Sequence, residues 1–189
     1  MDNRRLTIFY GLSSIIYGPL GGNMDVANFT PGQMNTLRKV FHSMNGFMVF
    51  MWKIGLGKAI NVWPAGFGRI MVIKHRGRKS GKAYLTPVNY ASVDGEIHCT
   101  AGFGSVSDWY RNMLINPRVK LWLPEGKNSY CAEDVSNSPN RLFLLRQVII
   151  ASAFAAPLFG IQEKKLNDEQ LHALSKNYRL VHFIKLEKI

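Results

Sequence analysis

Between Thr30 and Lys58 the apolar residues Met34, Leu37, Phe41, Met44, Met48, Met51 and Trp52 recur at steps of three and four. That spacing predicts a helix with one apolar stripe. Thr30 suits the N-cap and Pro31 the first helical turn, while Gly55 and Gly57 read as its end. A methionine-rich stripe suits an irregular core, because the unbranched thioether adapts to gaps; a flexible apolar wall for a greasy substrate is the second reading. "NVWPAGFG", residues 61–68, reads as a connector.

From Gly68 the pattern becomes that of strands. "RIMVIKHR" and "YLTPVNYAS" are two strands, and Pro87 marks the second as an edge or a bulge. Asp94-Gly95 is a tight-turn signal leading into "EIHCTAG". "SDWYRNMLINP" is a short helix with Ser107 at the N-cap and Pro117 beyond its end. "RVKLWLP", a turn at Glu125-Gly126 and "NSYCAEDV" form a further hairpin. Ser138-Pro139 opens a long helix through "RLFLLRQVIIASAFAAPLF", apolar nearly all round, which predicts burial or contact with lipid. After a polar stretch, "LVHFIKLEKI" closes the chain as a strand. Helices, an antiparallel meander, then a helix and a returning strand favour an α+β fold: a small antiparallel barrel flanked by helices, not an open parallel sheet.

The 189 residues are enough for one domain with a real core. We read residues 1–30 as an N-terminal helical extension and 31–189 as a single domain. The formal charge of +12 attracts anions: nucleic acid, anionic lipid or a multiply charged cofactor. Cys99 and Cys131 lie in apolar strands, without a CxxC motif or clustered histidines. They read as reduced and structural in an intracellular protein, and no metal ligands are identified. The segment "MDNRR" before "LTIFYGLSSIIYGPL" has the look of a signal peptide. Asp2 and the lack of a clean cleavage site argue against it, and the apolar run is short of the roughly 20 residues that span a bilayer. Packing on the domain is the favoured reading. The alternative is peripheral contact with the inner face of the cell membrane, Arg4 and Arg5 meeting anionic headgroups. Cytoplasm is the expected location.

In "HRGRKSGKAYLTPVNY", residues 75–90, Arg76, Arg78, Lys79, Lys82 and, when protonated, His75 crowd one turn. A glycine on each side of Arg78-Lys79-Ser80 lets the backbone bend and gather N–H groups into a nest for phosphate or carboxylate oxygens. A solvated hairpin tip is an equal reading from spacing alone. The spacing is neither a P-loop nor a Rossmann loop. Nucleic acid is the weaker anion, since the aromatics sit in apolar runs and not among the cations.

"GRKSGKAYLTPVNYASVDGE" followed by "AGFGSVSDWYRNMLINPRVKLWL" resembles the deazaflavin (F420)-dependent nitroreductase-like family of split-barrel oxidoreductases. The resemblance covers about residues 47–135 and resumes weakly at the last strand. It implies a split antiparallel β-barrel, FMN-binding-like, flanked by helices, and a reductase with bound coenzyme F420. Carried over by position, Arg78, Lys79, Ser80, Gly81 and Lys82 would hold the phosphate and carboxylate-rich tail. Thr86, Pro87 and Val88 would lie beside the deazaflavin ring; Ala101, Gly102 and Gly104 on its other flank; and Trp109 and Asn112 on the helix closing the site. Core packing is the equal reading for Trp109, and loop cross-linking for Asn112. Ala101 stands where many relatives have a serine, Asn89 where some have a tyrosine, and Phe154, Pro157 and Phe159 where others carry tyrosines. Asn89 is the one substrate-side candidate, and no catalytic residue is identifiable. The expected activity is hydride transfer from reduced F420 to a small apolar electrophile: a quinone, an enone or a nitro compound. The alternatives are an FMN-binding barrel and a non-catalytic lipid or fatty-acid binder.

Overall fold

The computed structural model describes residues 45–62, 68–102, 104–152 and 167–187. The N-terminal extension, the first half of the methionine-rich helix and the positions Phe154, Pro157 and Phe159 lie outside them. Six strands close a barrel: β1 (Ile70–Arg76), β2 (Ala83–Val93), β3 (Glu96–Ala101), β4 (Arg118–Leu123), β5 (Gly126–Asp134) and β6 (Arg179–Lys185). Their order is β1-β2-β3-β6-β5-β4, with β4 returning to β1, and every pairing is antiparallel. The split antiparallel barrel flanked by helices is thus the fold.

Alternation along each strand fills the barrel. Met71, Ile73, Cys99, Leu121, Val181 and Phe183 point inward and are fully buried, each such side chain contributing about 1.5–3 kcal/mol of hydrophobic stabilisation. Tyr110 and Met113 of a short helix, α3 (Asp108–Ile115), join that cluster, so α3 stoppers the interior. Tyr110 also donates to Asp134 Oδ2 at 2.6 Å. The other oxygen of Asp134 accepts from the N–H of Ser136, whose hydroxyl in turn accepts from Leu180 N–H. One carboxylate thereby links α3 to the end of β5 and the start of β6.

The first four residues of β1, Ile70 to Ile73, are buried on both faces. Ile70 and Val72 point outward, beneath Trp52, Met48 and Met51 of the helical residues 45–53, here α1. The described half of the apolar stripe is therefore core. Gly55, at φ +87°, follows α1, but Gly57 does not end a helix: it starts a new one, α2 (Gly57–Val62). A Cβ on Gly57 would stand 2.3 Å from the Trp52 ring, so glycine alone permits that approach. Asn61, expected in a connector, lies in α2. Its side chain donates to the carbonyls of Gly57 and Ile70 and accepts from Ile70 N–H, fixing the start of β1.

The remaining helices cover the outer wall. α4 (Arg141–Ser152) lays Leu144 and Val148 over Ala91 and Leu180, and α5 (Asp168–Asn177) packs Leu171 against Leu145 and Ile149. The all-round apolar character of α4 does not translate into all-round burial, for Phe143 and Ile150 are exposed. α5 arises where only a polar stretch was expected. Asp168 and Glu169 in its first turn and Lys176 in its last are the signals that could have found it. No described helix is long and apolar enough to cross a membrane.

Candidate functional site

Past Cys99 the two strands β2 and β3 part company. β3 pairs with β2 only as far as Tyr90↔Cys99, and Thr100 and Ala101 stay with β6. Residues 83–89 of β2 continue along β1 alone. Among the described residues this half of β2 has no strand on its second edge. Pro87 sits there without breaking the β1–β2 register, because its missing N–H faces the open side. Thr86 and Val88 point into the barrel and Pro87 and Asn89 to its outside, the Asn89 amide donating to Arg69 O at 3.3 Å. Across the gap lie Ala101, fully buried, then Gly102 and Gly104, the latter at φ +57° in the turn toward α3. Thr86, Pro87 and Val88 thus lie on the half of β2 that β3 has left, and Ala101 on the end of β3 that stays with β6.

The basic turn stands at the end of that half-strand. Gly77 N–H donates to Lys82 O and Gly81 N–H to Gly77 O, both at 2.9 Å, with Gly81 at φ +64°. Lys82 N–H reaches Ser80 Oγ at 3.3 Å, and Ser80 Oγ meets Tyr84 OH at 3.2 Å. Arg78 N–H donates to Asn112 Oδ1 at 3.0 Å. Four N–H groups of the turn therefore serve the fold. The expected nest does not form from them, and the capacity to hold an anion rests on the exposed side chains of Arg76, Lys79 and Lys82.

Arg78 behaves differently from the lysines. Its Nη1 donates to Asn112 Oδ1 at 2.9 Å and its Nη2 to Asp108 Oδ1 at 3.0 Å, pinning the turn to α3. Asn112 is buried and works on both sides. With Oδ1 accepting twice from Arg78, its Nδ2 must donate, and it faces His75 Nδ1 at 3.3 Å. His75 Nδ1 is then the acceptor, so Nε2 carries the proton and donates to Thr86 Oγ1 at 3.0 Å. Burial pushes the His75 pKa down, against smaller upward pulls from its hydrogen bond with the Arg76 backbone and from Asp108. His75, counted with the cations in the sequence, is a neutral brace. Asp108 and Tyr84 are site residues that sequence reasoning missed, only the Asp108-to-Asn112 helical spacing hinting at one of them, and His75 was seen there as a cation and not as a brace.

Trp109 packs partly against the barrel core and meets Tyr110 edge-on, ring centres 6.3 Å apart. Ser107 holds the N-cap position of α3 with extended backbone, yet its hydroxyl makes no cap bond. That oxygen is buried and has no partner among the described residues. An orphaned hydroxyl, an open strand edge and exposed lysines suit a group with a polar rim and a negatively charged tail.

The pattern described as F420H(2)-dependent quinone reductase matches residues 55–156, more than half of the chain. No curated protein matches. Among solved structures, conserved hypothetical protein Rv2991 from Mycobacterium tuberculosis is similar at 20% identity and TM-score 0.47, over 65% of this chain and 76% of that one. An F420-H2 dependent reductase, FDR-A, is similar at 16% identity and TM-score 0.43, over 60% and 93%. HutZ, the heme storage protein of Vibrio cholerae, is similar at 11% identity and TM-score 0.44, over 72% and 89%.

Proposed function

Since the chain belongs to the F420H(2)-dependent quinone reductase family, we propose that it is an oxidoreductase that binds reduced F420 in the cleft between β2 and the Gly102–Gly104 turn. Its acceptor is a small apolar electrophile such as a quinone, an enone or a nitro compound. Bound F420H2 would supply a hydride, and one proton from water would complete the two-electron reduction. Everything else is the work of the chain. Lys79 and Lys82 neutralise the anionic tail, while Arg78, held by Asn112 and Asp108, keeps the turn closed against α3. The open edge of residues 83–89 offers backbone groups along a flat ligand, and Ser107 offers a hydroxyl. Ala101, Gly102 and Gly104 leave room on the opposite side for close approach. Val88 and Trp109 keep that end dry, which holds donor and acceptor together and excludes water.

The observation that carries this reading is the pairing of two lysines at a fixed turn with an unmatched half-strand beside it. Titrating F420 into wild type and Lys79→Ala/Lys82→Ala tests it. A loss of about tenfold or more is expected from two charge-assisted contacts, shrinking as salt is raised. Equal affinity in both proteins overturns the placement. If FMN binds and F420 does not, the cofactor assignment is overturned; if extracted lipid is the only ligand, so is the activity.

A further inference from the structure

On the outer wall of the barrel, at the seam between β3 and β6, His98 stands directly opposite His182 in the strand register. Glu96 lies two residues before His98 and so on the same face. One ligand atom from each of the three lies within 4.8 Å of the others. The two imidazoles stack with centres 4.7 Å apart and planes 10° apart. His98 is only 5% exposed, and its Nδ1 is buried without a hydrogen-bond partner among the described residues. His182 Nε2 comes within 3.2 Å of Glu96 Oε2, but off the direction a ring N–H needs, so it too is buried and unsatisfied.

Bare ring nitrogens in a protein wall are uncommon because each forfeits the hydrogen bonds it had in water. Two of them beside a carboxylate form a donor set that a cation satisfies. We propose that Glu96, His98 and His182 bind one divalent transition-metal ion of the zinc type. Two imidazoles and a carboxylate suit Zn2+ and its neighbours Co2+, Ni2+ and Cu2+, and suit Mg2+ or Ca2+ poorly. Bonds near 2.0–2.2 Å require the set to contract. Imidazole lone pairs lie in the ring plane, so parallel rings must tilt toward one another to share an ion. Glu96, with its side chain 62% exposed, has the freedom to swing in. Glu133 faces His182 across the β5–β6 ladder, so it or a water completes the coordination. The ion would clip the C-terminal strand β6 to β3 and hold the seam shut. It plays no part in the F420 cleft, which lies beyond the other end of β3.

The test uses the full chain, stripped with a chelator and then given Zn2+ or Co2+. One equivalent should bind, raising the unfolding midpoint with Zn2+ and giving a visible ligand-field band with Co2+. Glu96→Gln and His182→Gln should each weaken binding by about a hundredfold or more, beyond what losing a merely supporting residue costs. His172→Gln, exposed on α5, should bind as wild type does. Because Glu96 is exposed, E96Q remains a fair test should H182Q fail to fold. No zinc-dependent rise in wild type, or undiminished affinity in E96Q, overturns the proposal.

Discussion

His75 and His98 are buried to nearly the same degree, 4% and 5% exposed, in strands of one barrel. In both, burial is the leading cause that drives the ring toward its neutral form. Their surroundings differ. His75 has a donor on one nitrogen and an acceptor on the other, so its tautomer is fixed and its capacity to bind anything else is used. His98 has a second imidazole stacked on it and a nitrogen without a partner. Burial says only that a histidine is uncharged. Whether it braces the fold or awaits a ligand is decided by the accounting of its two nitrogens.

The comparison breaks most readily at Asn112. Asn112→Ala orphans Arg78 N–H, part of the guanidinium and His75 Nδ1 together. A loss of about 3 kcal/mol is expected from the urea midpoint, since buried polar groups left unmade cost about 1–3 kcal/mol each and partly re-solvate. A loss typical of a surface change would mean His75 is no brace. Acid gives the next effect. Folded His75 has a pKa below its ordinary 6.5, so the unfolded chain takes the proton first. The contribution of a neutral His75 is therefore whole above pH 6.5 and is lost as pH falls below it, by at most about 1.4 kcal/mol per pH unit for one proton. Of the neighbouring charges, Asp108 pulls His75 in the direction opposite to burial. His75→Gln should remove one proton's worth of slope in urea melts between pH 6.5 and 5; an unchanged slope would show that His75 is already charged. Thr86→Val keeps the shape but strips the acceptor from Nε2. It should cost about 1 kcal/mol and shift the ring's NMR signals, whereas no such single change disturbs His98 Nδ1. Smallest is Asp108→Asn. That ion pair has its carboxylate 81% exposed, so stability should move by no more than about 0.5 kcal/mol.

Local signals carried most of the fold. Asp94 and Gly95 sit at φ +52° and +84°, the geometry that an Asp-Gly hairpin demands. Pro87 marked an edge, and the edge is the open half of β2. The resemblance implied one site for residues 78–82, 86–88, Ala101, Gly102, Gly104, Trp109 and Asn112, and of these the structure joins Arg78 to Asn112. What local pattern could not carry was who partners whom across the barrel. Asn112 and His75 lie far apart in sequence and meet only because α3 closes the interior, so the basic turn read as a nest of free N–H groups when those groups serve the fold. Likewise Glu96 and His98 signal nothing until β6 delivers His182 opposite them. Gly57 was misread for a similar reason: a glycine near a helix end resembles a stop signal, and the ring it makes room for belongs to another turn of the chain. α5 escaped notice because its apolar residues face α4 in a narrow strip, within a run dominated by charge.

Among the described residues half of β2 borders no partner strand, and such rims invite other chains to zip on. Pro87 lies in the middle of that stretch with no hydrogen to give. An intruding strand would find one rung absent and two lysines crowding the approach from the neighbouring turn. The same proline that sits on this rim without breaking the β1–β2 register thus deters an added strand there.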